Sequence, residues 1–270
     1  MRCAPARDKS SLTPIRYKSS LTPIRSAARS AVTELLNNIT WHTLAGDHAK
    51  YSVGTARARK YARGFSPIAG FAQATEPTFD DLAPYCEPGD HFYCSGWTGD
   101  APAGWKVDVD STMHLMVWDA PPPDEDEALA AVPLRPEHVP QIVALVELTQ
   151  PGPFGPRTPE LGDYFGVFDG ERLVAMAGER MSAAPLREVS GVCTHPDFQG
   201  RGFARRLVNN IVRRQLWRDE IPFLHVMHAN ARARGVYERM GFRDHLRTAV
   251  RVVSRTRAVD RRDAEGAEGR

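Results

Sequence analysis

Apolar positions change period along the chain, and each change marks an element. From Ala204 to Leu216 they fall at Ala204, Leu207, Val208, Ile211, Val212 and Leu216, with Arg205, Arg206, Asn209, Arg213 and Arg214 between them. That spacing predicts a helix with one buried stripe. Its arginine face reads first as solvated surface and second as an attractor for an anionic ligand. Val139, Ile142, Val143 and Val146 repeat the helical spacing behind Pro136, a residue suited to a helix start. Shorter apolar runs read as strands: His91 to Trp97, Met113 to Trp118, Val132 to Leu134, Glu188 to Cys193, Pro222 to Met227 and Arg247 to Val253. Tyr164 to Phe168 and Leu173 to Met181 flank Asp169-Gly170, a dipeptide fitted to a hairpin turn, and predict an antiparallel pair. Ala231 to Met240 reads as a short helix.

The pattern divides the chain into segments. Residues 9 to 17 recur almost unchanged as residues 18 to 26, with Ser26 the one difference. Two copies are too few to stack as a solenoid, which needs about three, so residues 1–30 are expected to be a disordered extension. Their seven Lys or Arg against the single acid Asp8 also fit an organelle transit peptide, a reading that Pro14 and Pro23 weaken by interrupting any targeting helix. Residues 31–120 are expected to form an N-terminal α/β domain. Pro121-Pro122-Pro123 and the acids Asp124 to Glu127 mark a solvated linker over 121–130. A second domain covers 131–253, and the charged tail 254–270 is expected to be disordered.

Composition narrows the function. The 270 residues carry 35 basic and 33 acidic side chains and 42% apolar content, ordinary for a globular protein with a core and no argument for nucleic-acid or membrane binding. No apolar run approaches the roughly 18 residues that span a bilayer, so a cytoplasmic protein is expected. Cys3, Cys86, Cys94 and Cys193 are scattered and form no C-x-x-C pair, which points to free thiols and to no metal site.

Chemistry concentrates at Gln199-Gly200-Arg201-Gly202-Phe203-Ala204, between the strand ending near His195-Pro196 and the arginine-rich helix. Two glycines at a strand-to-helix turn let successive N–H groups point at one anion at the positive end of a helix. A P-loop would need a Gly-Lys-Ser/Thr ending that is absent. The dinucleotide fingerprint would need a glycine where Arg205 stands.

The remaining pattern, Gln199, Gly202 and Ala204 in Gln-x-x-Gly-x-Ala, resembles the GCN5-related N-acetyltransferase (GNAT) superfamily. Asn230-Ala231-Arg232-Ala233 followed by Val236-Tyr237-Glu238-Arg239-Met240-Gly241-Phe242 is similar to the second cofactor segment of that superfamily. Pro151-Gly152-Pro153-Phe154 with Arg157-Thr158 resembles a bacterial subset with the FR-type acyltransferase domain. The resemblance covers roughly Leu134 to Val253. It implies an α+β GNAT fold, with a mixed, mostly antiparallel central sheet flanked by helices, and in front a second α/β unit that is either a degenerate GNAT-like unit or an independent interaction domain.

The same resemblance implies N-acetyl transfer from acetyl-CoA to a primary amine by direct attack in a ternary complex. Backbone N–H groups from Gln199 to Ala204 would hold the pyrophosphate, and the strand around Val192, Cys193 and Thr194 would bind the pantetheine arm as an added strand. Asn230 would bond the arm or nearby backbone. Tyr237 would protonate the departing thiolate, and Glu188, eleven residues before Gln199, would be the base, directly or through water; a salt-bridged or solvated strand-end carboxylate is the equal alternative for Glu188. Cys193 reads as a strand residue rather than an acyl carrier; His225 and His228 read first as structural histidines and second as a further base. The competing class is a binding module that senses acyl-CoA, or docks a partner, without turnover. The acceptor amine and the oligomeric state stay open.

Overall fold

In the computed structural model, which describes residues 26–256 apart from 127, the chain forms six α-helices and eleven strands among the described residues. In order these are α1 (Ser26–Asn37), α2 (Ile39–Ala45), β1 (Ser52–Gly54), β2 (Ala58–Tyr61), β3 (Ala69–Phe71), α3 (Phe79–Leu82), β4 (His91–Ser95), β5 (Trp105–Trp118) and β6 (Val132–Pro133). There follow α4 (Val139–Thr149), β7 (Tyr164–Asp169), β8 (Arg172–Ala183), β9 (Leu186–Thr194), α5 (Phe203–Trp217), β10 (Ile221–Met227), α6 (Ala231–Met240) and β11 (Phe242–Arg255). The nonapeptide repeat up to residue 25 and the tail beyond residue 256 lie outside the described residues. Two expectations change at the edges. Helix α1 already begins at Ser26, inside the segment expected to be disordered, and β11 carries Ser254 and Arg255 of the expected tail into the sheet.

One eight-stranded sheet organises the molecule in the order β4-β11-β5-β10-β9-β8-β7-β6, beside a small sheet β1-β2-β3. Its pairs are antiparallel except β9 with β10. The mixed, mostly antiparallel α+β architecture is the expected one, but the boundary at 121–130 does not separate two sheets. Strand β5, from before the linker, lies between β10 and β11 from after it, pairing Phe223 with Val117 and Val250 with Ser111. The linker itself is latched onto α5: Asp126 meets Arg206 at 2.5 Å and Glu125 meets Arg213 at 2.6 Å. Half of the arginine face is thereby occupied within the chain.

Each face of the sheet has its own core. Leu207, Val208, Ile211 and Val212 of α5 are fully buried against Ala175, Ala177, Val189, Leu224 and Phe242, as their spacing requires. Each such side chain contributes about 1.5–3 kcal/mol relative to exposure. On the opposite face Leu36, Ile39 and Leu44 of α1 and α2, with Tyr61, Phe65 and Ile68, cover Met181, Leu186, Leu115 and Phe223. The loop with Pro151 to Thr158 is sewn into this cover: Arg157 N–H donates to Gly64 O at 2.8 Å, its guanidinium lies 4.3 Å over the Phe65 ring, and Ser66 and Thr158 hydroxyls are 3.0 Å apart.

Tyr164 crosses this face from β7 toward β9 by lying flat over Gly178 of β8. A Cβ at Gly178 would fall 2.2 Å from the Tyr164 ring. Gly178→Ala is therefore expected to destabilise the protein by about 1–3 kcal/mol through overpacking. Urea unfolding reads this directly, and an unchanged midpoint would mean that the ring has room to move.

Candidate active site

Strands β9 and β10 are paired only over Leu186 to Glu188 and Ile221 to Phe223, and then part. β9 stays with β8, matching Cys193 to Met176 and Thr194 to Ala175, while β10 stays with β5 out to Met227. Gly191, at φ 62°, lies in the β-bulge that opens β9 away from its neighbour. From Val189 onward the edge of β9 toward β10 has no strand partner among the described residues. It offers its backbone groups to an extended ligand in the manner of an added strand.

A cleft of about 620 Å³ occupies this opening and continues between the N-terminal ends of α5 and α6. Val192, Cys193, Thr194, Gln199, Gly200, Gly202, Phe203, Ala204, Asn230 and Tyr237 all line it, so the two sequence motifs face one space. Arg201 is the exception. Its side chain turns away and stacks on Phe198, 4.6 Å from the ring. Arg232, Val236 and Arg239 of the second motif, which had no separate role assigned from the sequence, line it too by their helical spacing with Tyr237 and Met240 along one face of α6, and Arg205 enters from α5.

The turn has the conformation its glycines permit. Gly200 and Gly202 take φ of 77° and 79°, Gly202 is the N-cap of α5, and no atom lies within 4 Å of a Cβ built on either. The first N–H groups of α5 have no helical acceptors, no acidic side chain stands in its first turn, and Arg205 adds positive charge. Asn230 caps α6 by accepting the Ala233 N–H at 3.1 Å, which leaves its amide N–H₂ for a ligand. Thr194 Oγ1 is buried beside the cleft without a partner among the described residues. An open glycine cradle, a free strand edge and an orphaned hydroxyl fit the pyrophosphate and pantetheine of a CoA thioester.

Tyr237 packs on Phe242, with ring centroids 5.9 Å apart, and burial pushes its phenol up to about 12. The group therefore keeps its proton at neutral pH, as a donor must. Burial raises the Cys193 thiol to about 11, against a role as thiolate nucleophile.

Glu188 lies elsewhere. It is 1% exposed and lies on the face covered by the N-terminal segment, outside the cleft lining. Arg180 grips it in bidentate fashion, Nη2 to Oε1 at 2.8 Å and Nε to Oε2 at 3.0 Å, while Met181 N–H donates to Oε2 at 3.1 Å. His225 Nδ1 lies 2.8 Å from Oε1. Burial alone would raise this carboxyl, but the charge of Arg180 and the hydrogen bonds from His225 and Arg180 override it and hold the group well below the usual carboxylate range. Both carboxylate oxygens are thus taken up by Arg180, Met181 and His225, the arrangement of a salt-bridged strand carboxylate.

His228 stands apart from this cluster, its Nδ1 2.9 Å from Nε2 of His114, which in turn lies 3.2 Å from Asp244. Among the described residues no helix is long and apolar enough to cross a membrane, and no three His, Cys, Asp or Glu side chains converge as metal ligands would.

The family model described as FR47-like protein matches residues 164–252, which takes in the opened strands, the glycine turn and both helices of the cleft. No curated protein matches the chain. Among solved structures, a GNAT-family protein from Novosphingobium aromaticivorans DSM 12444 is 32% identical with a TM-score of 0.74, over 82% of this chain and 99% of its own. A GCN5-related N-acetyltransferase from Kribbella flavida is 14% identical with a TM-score of 0.55, over 88% of this chain and 98% of its own. A GCN5-related N-acetyltransferase-like protein from Streptococcus suis 89/1591 is 13% identical with a TM-score of 0.53, over 84% and 98%. The last two share the fold alone. With the first of these matched along nearly its whole length, and with the opened strand pair and glycine turn in place, the chain belongs to the GNAT family of acetyltransferases.

Proposed function

We propose that the protein is an N-acetyltransferase that binds acetyl-CoA in the cleft between β9 and β10 and passes the acetyl group directly to a primary amine. The observation that carries this reading is the convergence of the glycine cradle, the free edge of β9 and Tyr237 on one space. Acetyl-CoA supplies an activated thioester. The α5 N-terminus with Gly200 and Gly202 grips its pyrophosphate, and Val192 to Thr194 align its pantetheine arm. Tyr237, still protonated at neutral pH, gives its proton to the departing thiolate.

Tyr237→Phe removes that proton and little else. Turnover is expected to fall about 100-fold while the affinity for acetyl-CoA stays within about twofold, because the ring and its packing on Phe242 persist. Free-thiol release and calorimetric binding measure the two quantities. Equal turnover of variant and parent would take the acid role from Tyr237, and a parent that binds acetyl-CoA yet releases no thiol with any amine would favour an acyl-CoA sensor.

A further inference from the structure

The Glu188–Arg180 pair poses a question of its own. Burying two charges in mid-sheet costs desolvation that an apolar pair of the same size would avoid. Arg180 is fixed further by donating Nη1 to Pro153 O at 3.0 Å, in the loop that the N-terminal cover holds down. His225, whose side chain is 10% exposed, joins the cluster through Nδ1, which meets Glu188.

An imidazole that donates Nδ1–H to a carboxylate carries its lone pair on Nε2. Among the described residues no hydrogen bond engages that Nε2. Arg180 shares the same carboxylate, so Glu188 orients the ring while its own negative charge is already matched.

Position supports a chemical use. The last pair between the two strands is Phe223 with Glu188, and His225 is the second residue of β10 beyond it, where the strands separate. Phe223 belongs to the core under the N-terminal segment and Leu224 to the core under α5. Alternation along the strand then sets His225 on the face opposite α5. Tyr237 reaches the opening from α6, against the core on the α5 side. His225, which is not among the residues lining the cleft, thus stands on the sheet face opposite the one on which Tyr237 packs. On the same face as Glu188, the Tyr164 hydroxyl is buried without a partner among the described residues. Tyr61 and His48 are the other titratable groups on this face within reach of the Glu188 charge.

We propose that His225 is the base of the transfer, with Glu188 and Arg180 as its positioning residues. This rests on the acetyl-transfer reading above. Nε2 takes one proton from the ammonium group of the acceptor, and the freed nitrogen pair forms the C–N bond as the thioester carbonyl opens. On collapse the C–S bond breaks, the thiolate takes the Tyr237 proton, and the second nitrogen proton leaves through water to restore the phenol. The imidazolium then returns its proton to solvent, so one proton is released per amide formed.

Ring ¹⁵N NMR of the wild type tests the arrangement without any acceptor: the Nδ1–H tautomer of His225 is expected, and the Nε2–H tautomer would overturn the proposal. The chemistry is tested with acetyl-CoA and three primary amines, spermidine, alaninamide and a lysine-containing tripeptide. His225→Ala is expected to release thiol about 100-fold more slowly, with unchanged acetyl-CoA affinity and partial rescue by added imidazole. His225→Asn, closer in size, replaces it if the alanine variant does not fold. For the positioning pair, Arg180→Leu with Glu188→Leu removes both charges together. It is expected to fold, to lose the fixed tautomer, and to lower kcat while leaving KM for acetyl-CoA in place. An active wild type with an equally active His225→Ala would sink the base assignment alone. A wild type that releases no thiol with any amine sinks the acetyl-transfer reading and the base with it.

Discussion

Glu188→Ala is expected to cost the fold about 3–5 kcal/mol, the typical penalty for removing one partner of a buried ion pair. Arg180, its side chain 9% exposed, would be left with a full charge, the Pro153 carbonyl as its one strong acceptor, and little access to water. The same substitution orphans the Met181 N–H and the His225 Nδ1–H. The pH dependence has a fixed sign. The folded-state carboxyl is depressed, so its stabilisation is complete above the ordinary glutamate range, near pH 4–5, and is lost as pH falls toward the folded value. Wild-type stability should thus decline on acidification below about pH 5, and Glu188→Ala should lack that component of the decline. Urea titrations from pH 3 to 8 on both proteins measure it. A variant within about 1 kcal/mol of wild type at pH 7 would mean that water reaches Arg180.

The contrast between what the sequence revealed and what it hid follows from the range of the interactions. The glycine turn, α5 and α6 were legible because a 3.6 period, a positive-φ glycine and an N-cap asparagine act within a few residues. β5 was read only from Met113, although Trp105 to Asp110 already alternates apolar and charged residues at strand period; its partner β11 lies more than a hundred residues away. No local signal reports that a strand before an acidic linker inserts between two strands after it. The true setting of Glu188 was hidden by a bulge. Continuing the register of Ala183 with Leu186 and Ser182 with Arg187 would set Arg180 opposite Val189, but the structure pairs Glu179 with Val189. That one-residue shift brings Arg180 and Glu188 onto one face.

Gly202→Val is expected to weaken acetyl-CoA binding about 100-fold or more, and a matched substitution separates the two causes that could produce this. Valine at φ 79° strains the backbone, and its branched side chain would enter the open space over the first turn of α5, where the pyrophosphate oxygens have to approach the N–H groups. Losing two charge-assisted hydrogen bonds there, at about 1.5–3 kcal/mol each, amounts to about 10²–10⁴ in affinity. Gly170 supplies the control. It has φ 58° with equally open surroundings, but it sits in the β7–β8 hairpin turn, away from the cleft. Gly170→Val carries the same class of backbone strain, about 1–2 kcal/mol for a left-handed residue with a side chain, and should leave acetyl-CoA affinity untouched. Calorimetry with acetyl-CoA on the two variants, beside their urea midpoints, isolates the cradle. If Gly202→Val and Gly170→Val bind acetyl-CoA equally well, the phosphates are held elsewhere, and Arg205, Arg232 and Arg239, which also line the cleft, become the groups to replace next.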